Sequence, residues 1–99
     1  MNTQLAVDQR ALAEICRRYR VRRLSLFGSA LRGEDRADSD VDLLVEFMPG
    51  HRIGLIGLAA LERELSALVG RKVDLRTPAD LSPRFRDEVL QMAAVQYAA

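Results

Sequence analysis

The sequence predicts an α+β domain with a mixed sheet of three or four strands flanked by helices, in the order αβαβαβα. Apolar residues recur at helical spacing in three segments. Three shorter apolar stretches alternate with period two, and clusters of Gly, Pro, Asp and Ser separate these elements. Its 99 residues make one domain, 1–99, with a single core and modest stability alone, so help from a partner would not surprise.

Leu12, Ile15, Cys16 and Tyr19 recur at i, i+3, i+4 and i+7, with Leu5 one heptad before Leu12. They give a first amphipathic helix over about Gln4 to Arg20. Arg17, Arg18 and Arg20 fall in its last turns, where cations suit the helix dipole. Val21 to Phe27 is the first strand, closed by Gly28-Ser29. Ala30 to Arg36 has room for about two helical turns, and Ala37-Asp38-Ser39 is a turn.

Asp40 to Phe47 is the second strand. Val41, Leu43, Val45 and Phe47 take one face, and Asp40, Asp42, Leu44 and Glu46 the other. A loop with Pro49, Gly50 and Gly54 leads into a helix striped by Leu55, Leu58, Leu61, Leu65 and Leu68 and stopped at Gly70. Lys72 to Arg76 is the third strand, ended by Thr77-Pro78. Ser82-Pro83 starts the last helix, which runs to about Tyr97 with Phe85, Val89 and Met92 inward. About a dozen residues join the first two strands, marginal for a parallel crossover. If that pair is antiparallel, Gly28-Ser29 meets Asp40 and Asp42. A third strand beside the second then adds Asp74 to the patch.

Fifteen basic against 14 acidic residues leave a net charge of +1, which gives no reason to expect broad nucleic-acid or membrane adhesion. Cys16 is the single cysteine; it reads as a core residue and fits a reducing cytosol. Met1 to Gln9 lacks a signal peptide's apolar stretch, and no apolar run approaches the ~20 residues of a membrane helix. A cytoplasmic location is expected.

Asp40 and Asp42 project together because alternate strand residues share a face. Two carboxylates ~5 Å apart repel by roughly 3 kcal/mol at an effective dielectric of about 20, and Asp74 worsens the repulsion. Such a cluster favours a cation. Mg²⁺ suits it, because it takes hard oxygen ligands and keeps places for water and phosphate oxygens. Two such ions can serve the phosphates and the attacking oxygen. Gly28 lets backbone approach a phosphate, Ser29 adds a hydroxyl, and a helix starting at Ala30 offers free N–H groups to an anion. Arg32 lies one turn on. Phosphates held between these features point to phosphoryl or nucleotidyl transfer.

Gly28-Ser29, ten residues, Asp40-x-Asp42 and a later strand carrying Asp74 resemble the signature of the DNA polymerase β-type nucleotidyltransferase superfamily. The resemblance is nearest to its minimal members, the MNT proteins, often paired as antitoxin with a HEPN-domain toxin. It extends through FGSALRGEDRADSDVDLLVEF, GRKVDLRTP and LSPRFRDEVLQMA, about Val21 to Met92. It implies a polymerase β-like fold and transfer of AMP from ATP to a hydroxyl, in the minimal antitoxins a tyrosine of the HEPN partner. By position it implies that Asp40, Asp42 and Asp74 are catalytic and bind Mg²⁺, with Asp74 also the base. Gly28, Ser29 and Arg32 would bind the nucleotide. Larger relatives add a helical acceptor domain; its absence here suggests an acceptor on another protein.

Plainer roles exist for each residue. Asp40 and Asp42 also suit a solvated strand entry, and Asp74 an exposed pair with Lys72 or Arg76. Ser29 suits a turn. Arg32 and Arg36 suit a solvated helix face. His51 sits in a polar loop, and Glu46 shares the aspartates' face. Three functions remain open: protein adenylyltransferase antitoxin, non-catalytic antitoxin acting by contact, and a small-molecule transferase of the aminoglycoside type, whose acceptor pocket a homo-oligomer would have to supply. Neither membrane nor direct nucleic-acid contact is expected.

Overall fold

Arg20, in the left-handed region (φ 57°), turns the chain out of the first helix and directly into the first strand. The computed structural model describes residues 5–27 and 40–99. Its elements run α1 (Gln9–Arg18), β1 (Val21–Phe27), β2 (Val41–Phe47), α2 (Leu55–Val69), β3 (Val73–Arg76), a 3₁₀ turn (Pro78–Asp80), α3 (Pro83–Met92) and β4 (Ala94–Ala98). The short helix expected over Ala30–Arg36 lies outside the described residues.

The sheet order is β3-β2-β1-β4. β1 runs antiparallel to both β2 and β4, while β2 and β3 are parallel. α1 and α2 cover one face. Leu12, Ile15 and Cys16 from α1 and Leu61 and Leu65 from α2 pack on Leu24, Leu26, Val41, Leu43, Val45, Val73 and Leu75. Each such buried aliphatic side chain contributes about 1.5–3 kcal/mol. Leu44 and its register partner Ser25 are buried on the opposite face. Cys16 is a core residue, and burial pushes its thiol pKa up to about 12.

The first helix begins later than its periodicity predicts. Asp8 caps it, its Oδ1 accepting the Arg10 N–H at 2.9 Å. Leu5 lies before the cap, packs against the core, and donates its N–H to Gln96 Oε1 at 2.8 Å. α2 ends as expected at Gly70 in the left-handed conformation (φ 77°). Its stripe, however, starts at Leu58, because Leu55 stands 87% exposed in the first turn.

The last helix is also shorter than expected. It stops at Met92, Ala93 turns extended (ψ 137°), and Ala94–Ala98 forms β4 instead of a helical tail. β4 covers the edge that β1 would otherwise leave open, and Ala94 and Tyr97 pack against the core. The expected inward face of α3 is not inward. Phe85 and Met92 are 53% and 57% exposed, and α3 has no fully buried residue, since α1 and α2 already occupy the sheet's core face.

Candidate active site

Strand alternation decides where the carboxylates stand. Val41 and Leu43 of β2, and Val73 and Leu75 of β3, point into the core, so Asp42 and Asp74 share the opposite face. The parallel ladder makes them register partners, on strands about 4.8 Å apart. Phe27, the residue before Gly28, is the register partner of Asp42 on its other side. Gly28, Ser29, Arg32 and Arg36 lie outside the described residues.

Burial and then the charge of Asp74 hold the Asp42 carboxyl above the usual range; Arg76 pulls it down, and Asp40 adds a smaller push upward. Asp74 Oδ2 accepts from the Arg76 guanidinium at 3.3 Å. Asp40, just before β2, lies 3.9 Å from Lys72 Nζ. Both ion pairs are substantially exposed, and exposed pairs contribute at most about 1 kcal/mol. Either carboxylate can therefore exchange its partner for a stronger cation at little cost.

Among the described residues, no three His, Cys, Asp or Glu side chains converge to hold a metal ion by themselves. That is compatible with Mg²⁺, which is usually held by one or two carboxylates plus water and substrate phosphates. The donor chemistry fits it. Asp42 and Asp74 are adjacent hard-oxygen donors whose mutual repulsion a divalent cation relieves.

Two residues that position Asp74 carry no sequence signal of their own. β3 is an edge strand, and its outer N–H groups need acceptors. Ser66 Oγ accepts the Val73 N–H at 3.0 Å, and Glu62 Oε2 accepts the Leu75 N–H at 3.0 Å. Ser66 in turn donates to the Glu62 carbonyl at 2.8 Å. α2 thus pins the backbone on both sides of Asp74. A polar pair at i and i+4 beside the leucine stripe was the only available hint.

Other candidates stand apart. Glu46 is four residues beyond Asp42 and faces Arg23, with 3.5 Å between Oε2 and Nε. His51 packs its ring on Phe47, 5.8 Å between centroids, at the opposite end of β2.

The sequence matches the nucleotidyltransferase domain family over residues 9–94. It is 40% identical over 80 residues to the protein adenylyltransferase MntA of Thermococcus cleftensis, covering 79% of this chain and 77% of that protein. A solved structure assigned as a minimal nucleotidyltransferase is 41% identical with a TM-score of 0.71, covering 86% of this chain and 85% of its own. Two complexes share the fold at low identity. A toxin–antitoxin structure with AMP-PNP has a TM-score of 0.73 at 19% identity, covering 94% of this chain and 75% of that one. A tri-AMPylated Shewanella oneidensis HEPN toxin with its MNT antitoxin has a TM-score of 0.59 at 17% identity, covering 92% and 70%.

Proposed function

Because this chain belongs to the nucleotidyltransferase domain family and is a minimal nucleotidyltransferase of the protein adenylyltransferase kind, we propose that it transfers AMP from ATP to a tyrosine hydroxyl of a HEPN toxin and so acts as its antitoxin. The observation that carries this reading is the register pairing of Asp42 with Asp74 inside the family match.

The acceptor oxygen attacks the α-phosphorus of ATP, the bond to the β-phosphate oxygen breaks, and pyrophosphate leaves. Asp74 takes the hydroxyl proton once Arg76 has swung away. Asp42 and Asp74 would hold Mg²⁺, with Asp40, which does not converge with them in this structure, as a further ligand, and the ion would offset the charge of the triphosphate and of the attacking oxygen. Gly28, Ser29 and Arg32 hold the triphosphate. The toxin–antitoxin complexes that share this fold support a protein acceptor.

The test is intact mass after incubation of both proteins with ATP and Mg²⁺. Addition of one or more AMP units to the toxin, absent with Asp42→Asn, is expected. An unmodified toxin held in a tight, inactive complex would replace this reading with inhibition by contact.

A further inference from the structure

The far end of the sheet from Asp42 and Asp74 carries a cavity of about 610 Å³. It lies where α1 ends and β1 begins, and where β2 and β4 end. The extended run from Asp42 to Met48, roughly 20 Å, separates it from the carboxylates. Met48, Pro49 and Tyr97 form an apolar wall, and Arg17, Arg20 and His51 stand around it.

The backbone under these groups is fixed. The Arg20 carbonyl accepts the Met48 N–H at 2.9 Å, and the Met48 carbonyl accepts the His51 N–H at 3.0 Å. The His51 ring rests on Phe47. The neighbouring cations are neutralised locally, Arg18 by Glu64 and Arg23 by Glu46. Arg17 and Arg20 make no ion pair with any described carboxylate, and no Asp or Glu lines the cavity.

Guanidinium groups match the geometry of phosphate oxygens. An aromatic and aliphatic wall beside them suits the face of a planar base. The volume is in the range of small-molecule pockets, about 300–1,000 Å³. A second groove of about 530 Å³ along α1 shares Arg17 and adds Arg10, with Glu14 between them, so the cavity's own cations are Arg17 and Arg20 and Arg10 lies one groove away.

We propose that this cavity is a second nucleotide site, taking a phosphate-bearing ligand with a flat base. The inference does not rest on the transfer reaction. The ligand is either a free nucleotide or the end of a nucleic-acid strand, and the test separates them.

Isotope-labelled protein is titrated without Mg²⁺ by AMP, by inorganic phosphate and by an eight-nucleotide single-stranded RNA, with NMR shifts as the readout. AMP is expected to move the His51, Tyr97 and Met48 signals saturably, with phosphate at least about tenfold weaker. Arg17→Ala with Arg20→Asn, which keeps a residue tolerant of the left-handed backbone, is expected to weaken AMP at least about tenfold. Asp42→Asn leaves these shifts in place. RNA binding at least tenfold tighter than AMP, with Arg10 also shifting, assigns the site to a strand end; any weaker RNA binding assigns it to free nucleotide. No shift at these residues, phosphate binding as tight as AMP, or undiminished binding by the double variant with its other signals unmoved would each overturn the proposal.

Discussion

Asp42 and Asp74 stand side by side across the parallel ladder of β2 and β3, on the sheet face that turns away from the core. Burial and the neighbouring charge both disfavour the ionised form of Asp42. The fold holds this arrangement at a cost to its own stability, which is the expected signature of a site shaped for a cation rather than for folding.

Asp42→Asn therefore has opposite effects on activity and stability. Transfer of AMP falls ~100-fold or more. A carboxyl whose folded pKa is raised destabilises the fold above that pKa, and the cost disappears as pH falls toward its unfolded value. The variant is thus more stable than the parent at pH 7. Denaturant melts at pH 7 and pH 3.5 check this. An equal advantage at both pH values contradicts it.

Glu62 acts on Asp74 through the backbone. Glu62→Leu leaves the Leu75 N–H without an acceptor, costs about 1–3 kcal/mol, and lowers kcat for transfer more than it changes the KM for ATP. Glu62→Gln keeps an acceptor oxygen and restores most of kcat. Steady-state kinetics well below both melting temperatures separate placement of Asp74 from simple loss of fold.

Tyr19 and Arg18 of the α1 end both donate to Glu64 of α2. The Tyr19 hydroxyl first and the Arg18 guanidinium second hold the Glu64 carboxyl below the usual range. Its stabilisation is present above the unfolded pKa and is lost as pH falls through the depressed folded value. Glu64→Gln is expected to flatten the stability profile below about pH 4.5. A profile as steep as the parent's would place the acid sensitivity elsewhere.

Phe85 and Tyr97 give opposite outcomes although the sequence alone places both on one helix. Phe85→Ser changes stability by no more than about 0.5 kcal/mol, because the ring is exposed. Tyr97→Ser removes a ring packed against the core and costs about 2 kcal/mol. Thermal unfolding of the two variants compares them directly. An equal loss would mean that α3 buries Phe85 in solution.

Gly70→Ala puts a Cβ on a residue at φ 77° and costs about 1 kcal/mol. Nothing lies within 4 Å of that added atom, so the cost is conformational rather than a clash. The measured loss should persist when Ala is replaced by Val and shrink with Asn, which tolerates the left-handed region.

The β1, β2 and β3 segments were legible because each alternates over its own few residues and is bounded by breakers. The short connection made a parallel crossover of β1 and β2 marginal and left the antiparallel pairing open, and the pair is antiparallel. The end of α3 was not legible. Ala93 to Tyr97 continues an apolar pattern compatible with a helix, and only the open edge of β1, distant in sequence, draws it into a strand. Nor was the inward face of α3 legible, since periodicity shows that a face is apolar and not that something covers it.

The sequence by itself determined the chemistry: which residues are acidic, that Asp42 and Asp74 lie on the second and third strands, and that the chain resembles a nucleotidyltransferase. Only the tertiary structure decided that these two aspartates are register partners, that Glu62 and Ser66 of α2 fix the β3 backbone on either side of Asp74, and that Arg17, Arg20 and His51 surround one cavity. The reason is physical. Local pattern follows from side chains a few residues apart, whereas register, edge pairing and cavity walls are set by groups that meet only when distant segments pack.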